Sequence, residues 1–241
     1  MSIHPTALPH SNIQQVLPEV FFVTGAMETV LMDMDWRFSR NMIIVRENDS
    51  LILINSVRLT EEGLAELDQL GTVTDIVRIG SLHDKDDAFY TERYASAEYW
   101  GLEDFPNQEQ MPRVTKPLIE GGDLPISDAS LFTFKTTKLP ESILCLDREG
   151  GILIACDALQ NWLEPDEFFS PESTAVMTEM GFFTPANIGP VWMKFAEPEA
   201  EDFVRLKKLT FNHVLCGHGE PLKDNAYQEF SATFKKIFDI D

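Results

Sequence analysis

Three short segments of this 241-residue chain carry side chains that could bind a metal ion or move a proton. Each follows an apolar run. The first is Ile79-Gly80-Ser81-Leu82-His83-Asp84-Lys85-Asp86-Asp87-Ala88, where one imidazole and three carboxylates fall within five residues. Imidazole nitrogen together with carboxylate oxygen is a donor set for Zn, Mn or Fe. Asp86 and Asp87 have a plainer reading as caps of the helix that the sequence predicts from about Asp86, since a carboxylate there accepts free backbone N–H groups. His83 reads equally well as a surface histidine. The second segment is Ile154-Ala155-Cys156-Asp157-Ala158-Leu159. An aspartate straight after apolar strand residues is costly to bury without a partner, so Asp157 is a ligand, a base or a helix cap. The third is Leu215-Cys216-Gly217-His218-Gly219-Glu220-Pro221. The flanking glycines let the backbone turn sharply and aim the His218 ring into a cleft, or make it an ordinary turn residue. All three segments lie at the C-terminal ends of predicted strands, where sheet-and-helix folds bind ligands.

The elements that must hold these segments come in two similar runs. Residues 19–24 and 28–34 read as strands around a Gly25-Ala26 turn, and residues 41–46 and 51–54 as strands around residues 47–50. Thr60 caps a predicted helix through Leu70, with Leu64, Leu67 and Leu70 on one face and Gly71 as its stop. A strand over 74–79 follows, the order of a crossover onto a sheet. In the second half, residues 130–136, 142–146 and 152–156 read as strands, the last two joined by Gly150-Gly151. Residues 158–195 read as mostly helical and rich in aromatics, interrupted by prolines. A helix over 199–209, a short buried strand over 213–216 and a terminal amphipathic helix over 223–238 complete the chain. The Pro-rich stretch 104–117 reads as a long surface loop.

Composition narrows the classes of function. Lys and Arg number 19 against 40 Asp and Glu, a net charge of −21. Neither nucleic acid nor an anionic membrane surface is an expected partner of such a chain. Hydrophobic residues make up 44%, enough for a substantial core. The first residues lack the basic and apolar regions of a signal peptide, and no apolar stretch approaches the ~20 residues of a membrane span, so a cytoplasmic location is expected. Cys145, Cys156 and Cys216 show no CxxC spacing and sit in apolar runs, which reads as buried free thiols.

From residue 19 to about 222 the chain resembles the metallo-β-lactamase superfamily. The resemblance rests on the element order, on Cys156-Asp157-Ala158-Leu159 and on Cys216-Gly217-His218-Gly219. It implies an α/β fold, a four-layer αββα sandwich forming one domain over residues 1–241, and hydrolysis by water activated at a mono- or dinuclear metal centre. Asp157 matches the family's bridging aspartate in Gly/Ser-Asp-x-Leu. His218 matches the histidine of Pro-Gly-His-Gly, with Cys216 in place of proline. The family's His-x-His-x-Asp-His falls on residues 81–86 and keeps only His83, with Ser81, Lys85 and Asp86 at its other named positions. Gly-His-Thr-x-Gly-Ser is best matched by residues 137–142, which puts Lys138 at the histidine.

The resemblance therefore implies a reduced site. His83, Asp87 or Asp86, Asp157 and His218 surround at most one divalent ion, Zn, Mn or Fe, with Asp157 or Asp86 accepting a proton from water. The alternative is no metal, with Lys85 or Lys138 replacing it by neutralising the carboxylates. Three functions compete: a divergent metal-dependent hydrolase of a small molecule; a catalytically silent relative that binds a small molecule or a protein in the old cleft; and a metal-independent enzyme using Lys85 or Lys138 as acid or base. Aromatics of residues 162–192 read mainly as core, with a cleft roof or a homodimer face as the alternatives.

Overall fold

The computed structural model describes residues 4–103, 105, 112 and 114–240. Alternation of side chains along strands builds the layers. Strands β1 (Gln14–Leu17), β2 (Val20–Leu31), β3 (Met34–Glu47) and β4 (Ser50–Ile54) pair antiparallel in sequence order. Helix α1 (Glu61–Leu70) then crosses to β5 (Thr72–Val77), parallel to β4, and α2 (Asp87–Arg93) crosses to β6 (Glu98–Gly101), parallel to β5. Strand β7 (Lys116–Pro117) ends this seven-stranded sheet. Thr60 caps α1 as its sequence predicts, its hydroxyl accepting from Gly63 N at 3.3 Å.

A second sheet holds β8 (Ala129–Thr133), β9 (Ser142–Leu146) and β10 (Ile152–Ile154), all antiparallel. The chain then forms a small ribbon from β11 (Leu159–Gln160) and β12 (Asn187–Ile188), with α3 (Pro171–Glu179) between them and α4 (Pro190–Ala196) after. Helix α5 (Ala200–Leu206), strand β13 (His213–Leu215) and helix α6 (Ala226–Phe238) follow, β13 lying parallel beside β10.

Val20, Phe22, Ile43, Val45, Ile52 and Ile54 of the first sheet meet Leu144, Leu146, Ile152, Ile154 and Leu215 of the second. Phe21, Val23, Met42, Ile44, Leu51 and Leu53 face the opposite way, onto Leu64 and Leu67 of α1 and Tyr90 of α2. Ile143, Leu153 and Val214 likewise turn outward onto Trp192, Phe203, Leu206, Phe230 and Phe234. The result is helix–sheet–sheet–helix, a four-layer αββα sandwich. Each fully buried aliphatic side chain contributes about 1.5–3 kcal/mol to holding it.

Two local expectations differ from the structure. Gly25-Ala26 is not a turn: β2 runs straight through it, and the hairpin turns at Met32-Asp33. Gly25 serves close packing instead, because a Cβ there would lie 2.5 Å from Val57 Cγ1. Residues 158–195 hold less helix than the pattern predicts, only α3 and all but the last residue of α4 beside the β11–β12 ribbon. Most of the expected 104–117 loop lies outside the described residues. No helix among the described residues is long and apolar enough to cross a membrane.

Candidate metal centre

The three chemistry-bearing segments leave the ends of β5, β10 and β13. In the β10–β13 pair Ile154 stands opposite Leu215, and backbone bonds continue past the strands from Ala155 N to Leu215 O at 3.0 Å and from Gly217 N to Ala155 O at 2.9 Å. Asp157 and His218 each follow three residues later, so parallel register delivers them side by side. The β5 segment is tied to the second sheet by a bridge between Gly80 and Glu141 and by Ser142 N donating to Ile79 O at 2.8 Å. That tie brings His83 across. Gly217 must be glycine for this approach, because a Cβ there would lie 2.8 Å from His83 Cε1.

His83, Asp157 and His218 therefore meet, 2%, 6% and 4% exposed. His83 Nε2 lies 3.0 Å from His218 Nε2, His218 Nε2 is 3.2 Å from Asp157 Oδ1, and His83 Nε2 is 3.5 Å from Asp157 Oδ2. Donors about 2.0–2.2 Å from one tetrahedral ion stand roughly 3.3–3.6 Å apart, close to this triangle. The Cys156 thiol donates to Asp157 Oδ2 at 3.3 Å, and with His83 and Asp157 it forms a buried set of ligand atoms within 4.8 Å of one another.

Hydrogen bonding sets which way these groups face. His218 Nδ1 lies 2.9 Å from the Ser39 carbonyl, which can only accept, so Nδ1 carries the hydrogen. In the neutral ring Nε2 then offers a lone pair to the centre, the outer-partner arrangement typical of a metal-binding histidine. His83 Nδ1 is buried with no hydrogen-bond partner among the described residues. Burial pushes the His83 ring below the ordinary histidine range, against the pull of Asp157. Burial opposes charge on Asp157 too, yet positive charge on the facing His83 and His218 rings overcomes it and holds the carboxyl well below its usual range, so the carboxylate needs a cation beside it, a protonated ring or a metal ion. A buried carboxylate, a lone pair and a partnerless imidazole gathered at one point call for a cation, and the donor chemistry fits a divalent metal.

Other expected participants are elsewhere. Asp86 does not cap α2 through its side chain. It pairs with Arg40 and accepts from Arg58 N at 2.6 Å, which removes it as a base in the cleft. Asp87 is buried at the start of α2, where it accepts from the Tyr99 hydroxyl at 2.6 Å instead of facing the two histidines. Lys85 Nζ donates to the Glu28 carbonyl, and Lys138 Nζ pairs with Glu197 at 2.6 Å on the exposed surface. Neither lysine replaces a metal, because imidazoles face Asp157 and an arginine faces Asp86. Ser81 turns away to donate to Pro140 O at 2.7 Å.

Three supporting residues escaped the sequence reading. Asn41 of β3 holds the His218 loop, donating from Nδ2 to Cys216 O at 3.0 Å and to Gly219 O at 2.7 Å. Glu141 is buried and accepts from Ala158 N at 2.6 Å, bracing the Asp157 loop. Burial and the Asp157 charge push its carboxyl well above the ordinary range. A polar residue in an apolar strand flags Asn41 and a glutamate beside the apolar β9 flags Glu141, but only the fold says what each braces. Cys156 was readable as a buried thiol, not as a neighbour of His83.

Above the cluster lies a cavity of about 450 Å³, its walls including Trp36 and Phe38 from β3 and Trp162, Met177 and Phe182 from the 158–195 stretch. Trp162 and Phe182 thus wall the cleft and pack with Trp36 in one cluster, with Phe169 and Phe183 against it, while Trp192 is core, packed on the outer face of the second sheet.

No family model and no curated protein matches this sequence. Solved structures do. The metallo-β-lactamase from Hirschia baltica superimposes with a TM-score of 0.58 at 12% identity, covering 93% of this chain and 98% of that one. DIM-1 metallo-β-lactamase exposed to ceftazidime gives 0.61 at 13% identity over 95% and 98%. FIM-1 from Pseudomonas aeruginosa, in its mono-zinc form, gives 0.57 at 13% identity over 96% and 97%. Likeness of this extent at such low identity is a likeness of architecture, and it agrees with the layer order built up from the strands: the chain has the metallo-β-lactamase fold.

Proposed function

We propose that the protein is a metal-dependent hydrolase holding one divalent ion between His83, Asp157 and His218, with a small molecule bound in the cavity above. The observation that carries this reading is the triangle of buried donors 3.0–3.5 Å apart at the cavity floor. A bound dication would supply Lewis acidity and lower the pKa of water beside it. The chain's own residues do the rest. Ser39 O and Asn41 fix the His218 ring and its loop, Glu141 braces Asp157, and the aromatic walls keep bulk water away. Asp157, held ionised, is a good ligand and a weak base. Nucleic acid is not the substrate in this reading, which the net charge of −21 supports.

A second reading, a silent binding protein, is favoured by one observation. Of the four motif positions that fall on Ser81, His83, Lys85 and Asp86, only His83 faces Asp157. Elemental analysis decides between occupied and empty centres. Protein prepared without chelator and supplied with Zn or Mn is expected to hold one ion per chain, and His218→Ala to hold none. An ion-free wild type would favour the silent reading, and two ions per chain would overturn the reduced site.

A further inference from the structure

The cavity over the three donors is built for one kind of occupant. Among the described residues no Lys or Arg lines it. Any anionic group away from the metal centre would sit there without a counter-charge, against a strongly acidic protein. The two indoles in the wall spend their N–H groups inside the protein, Trp36 Nε1 on Leu31 O at 2.8 Å and Trp162 Nε1 on Ser39 Oγ at 3.3 Å, so both present apolar rings. Leu82 and Phe195 line the cavity and are also 42% and 41% exposed, which makes its rim apolar as well. Beyond the donor cluster only Thr29 and Gln160 bring polar side chains to the lining, and Gln160 is 2% exposed with its Oε1 enclosed and without a partner among the described residues. At about 450 Å³ the space lies in the range of drug-sized ligands and suits a chain of several methylenes or an aromatic ring with a compact head.

We propose that this cavity takes an uncharged small molecule with an apolar tail and a compact head bearing an acceptor oxygen, as in an amide or hydroxamate. The oxygen goes to the His83–Asp157–His218 centre and the tail lies between Trp36 and Trp162. This inference rests on the single-ion reading and names its ligand class.

Straight-chain hydroxamates from acetohydroxamic to octanohydroxamic acid test it, titrated against zinc-loaded and metal-free protein with tryptophan fluorescence as the readout. The dissociation constant is expected to fall about fourfold per added methylene until the cavity is full, the ratio that ~0.8 kcal/mol per buried CH₂ gives. A probe of octanohydroxamate length ending in a carboxylate should bind at least tenfold more weakly. The rim variant Phe195→Asp should weaken octanohydroxamate at least tenfold, and by more than it weakens acetohydroxamate. Equal affinity for the shortest and longest probes would overturn the inference, and zinc-dependent binding of acetohydroxamate in that same experiment would leave the single-ion reading standing. The same chain-length dependence with and without zinc would instead remove the ion and keep the apolar ligand.

Discussion

His83 and Asp87 stand four residues apart and end in environments that differ in what they face. Asp87 opens α2 with Tyr99 on one oxygen, its other oxygen buried without a partner among the described residues, and Arg78 near enough to oppose its burial; its neighbour Asp86 is matched by Arg40. These groups are surrounded by the fold's own side chains and by no part of the cavity over the metal centre. His83 faces that cavity beside a second imidazole and an ionised carboxylate, with Nδ1 unmet. Acidic residues next to one another in sequence can therefore serve stability, while residues 135 apart meet at a centre with donors to spare.

The comparison can be broken first through Asp87. Burial pushes its carboxyl up to about 7, against the Tyr99 hydrogen bond. The folded chain thus keeps a proton that the unfolded chain releases at about 4, so this contribution is full below pH ~4 and is lost as pH rises toward 7. It amounts to no more than about 4 kcal/mol. Asp87→Asn should remove that slope from denaturant-unfolding free energies and be the more stable protein above pH 7. A parallel pH profile in wild type and variant would show that Asp87 is not held protonated.

How much of this was legible in the sequence follows from where the information sits. Periodicity and caps are local, so α1 with its Thr60 cap, the turn between β3 and β4 and the β9–β10 hairpin could all be read directly. The strand-end placement of His83, Asp157 and His218 was readable for the same reason. Gly25 was misread because a glycine that admits Val57 looks, along the chain, like one that makes a turn. Asp86, Asp87, Lys85 and Lys138 were misassigned because their partners, Arg40, Tyr99, the Glu28 carbonyl and Glu197, come from segments whose proximity only the fold creates.

A smaller effect sharpens the same contrast. Arg40 is 2% exposed, pairs with Asp86, and lies near enough for its charge to act on the His83 ring. Arg40→Met leaves a largely buried carboxylate with only the Arg58 amide, and should lower stability by about 3 kcal/mol. Zinc affinity, measured by competition with a chromophoric chelator, should not fall, because the variant takes away a positive charge that acts on His83 and leaves the three donors in place. A metal affinity that drops along with stability would join the two regions.

The central claim is that the ion belongs to Asp157 and the histidines and not to the acidic pair beside His83. Cobalt(II) loading followed by visible absorption tests it most directly, since the intensity of the ligand-field bands reports a tetrahedral site and titration gives the affinity. Wild type and Asp87→Asn should show the same intense bands and the same stoichiometry of one ion. Asp157→Asn should lose affinity beyond the ~10–100-fold that removing an outer-shell partner costs. If Asp87→Asn abolishes the bands while Asp157→Asn keeps them, the metal centre proposed here is in the wrong place.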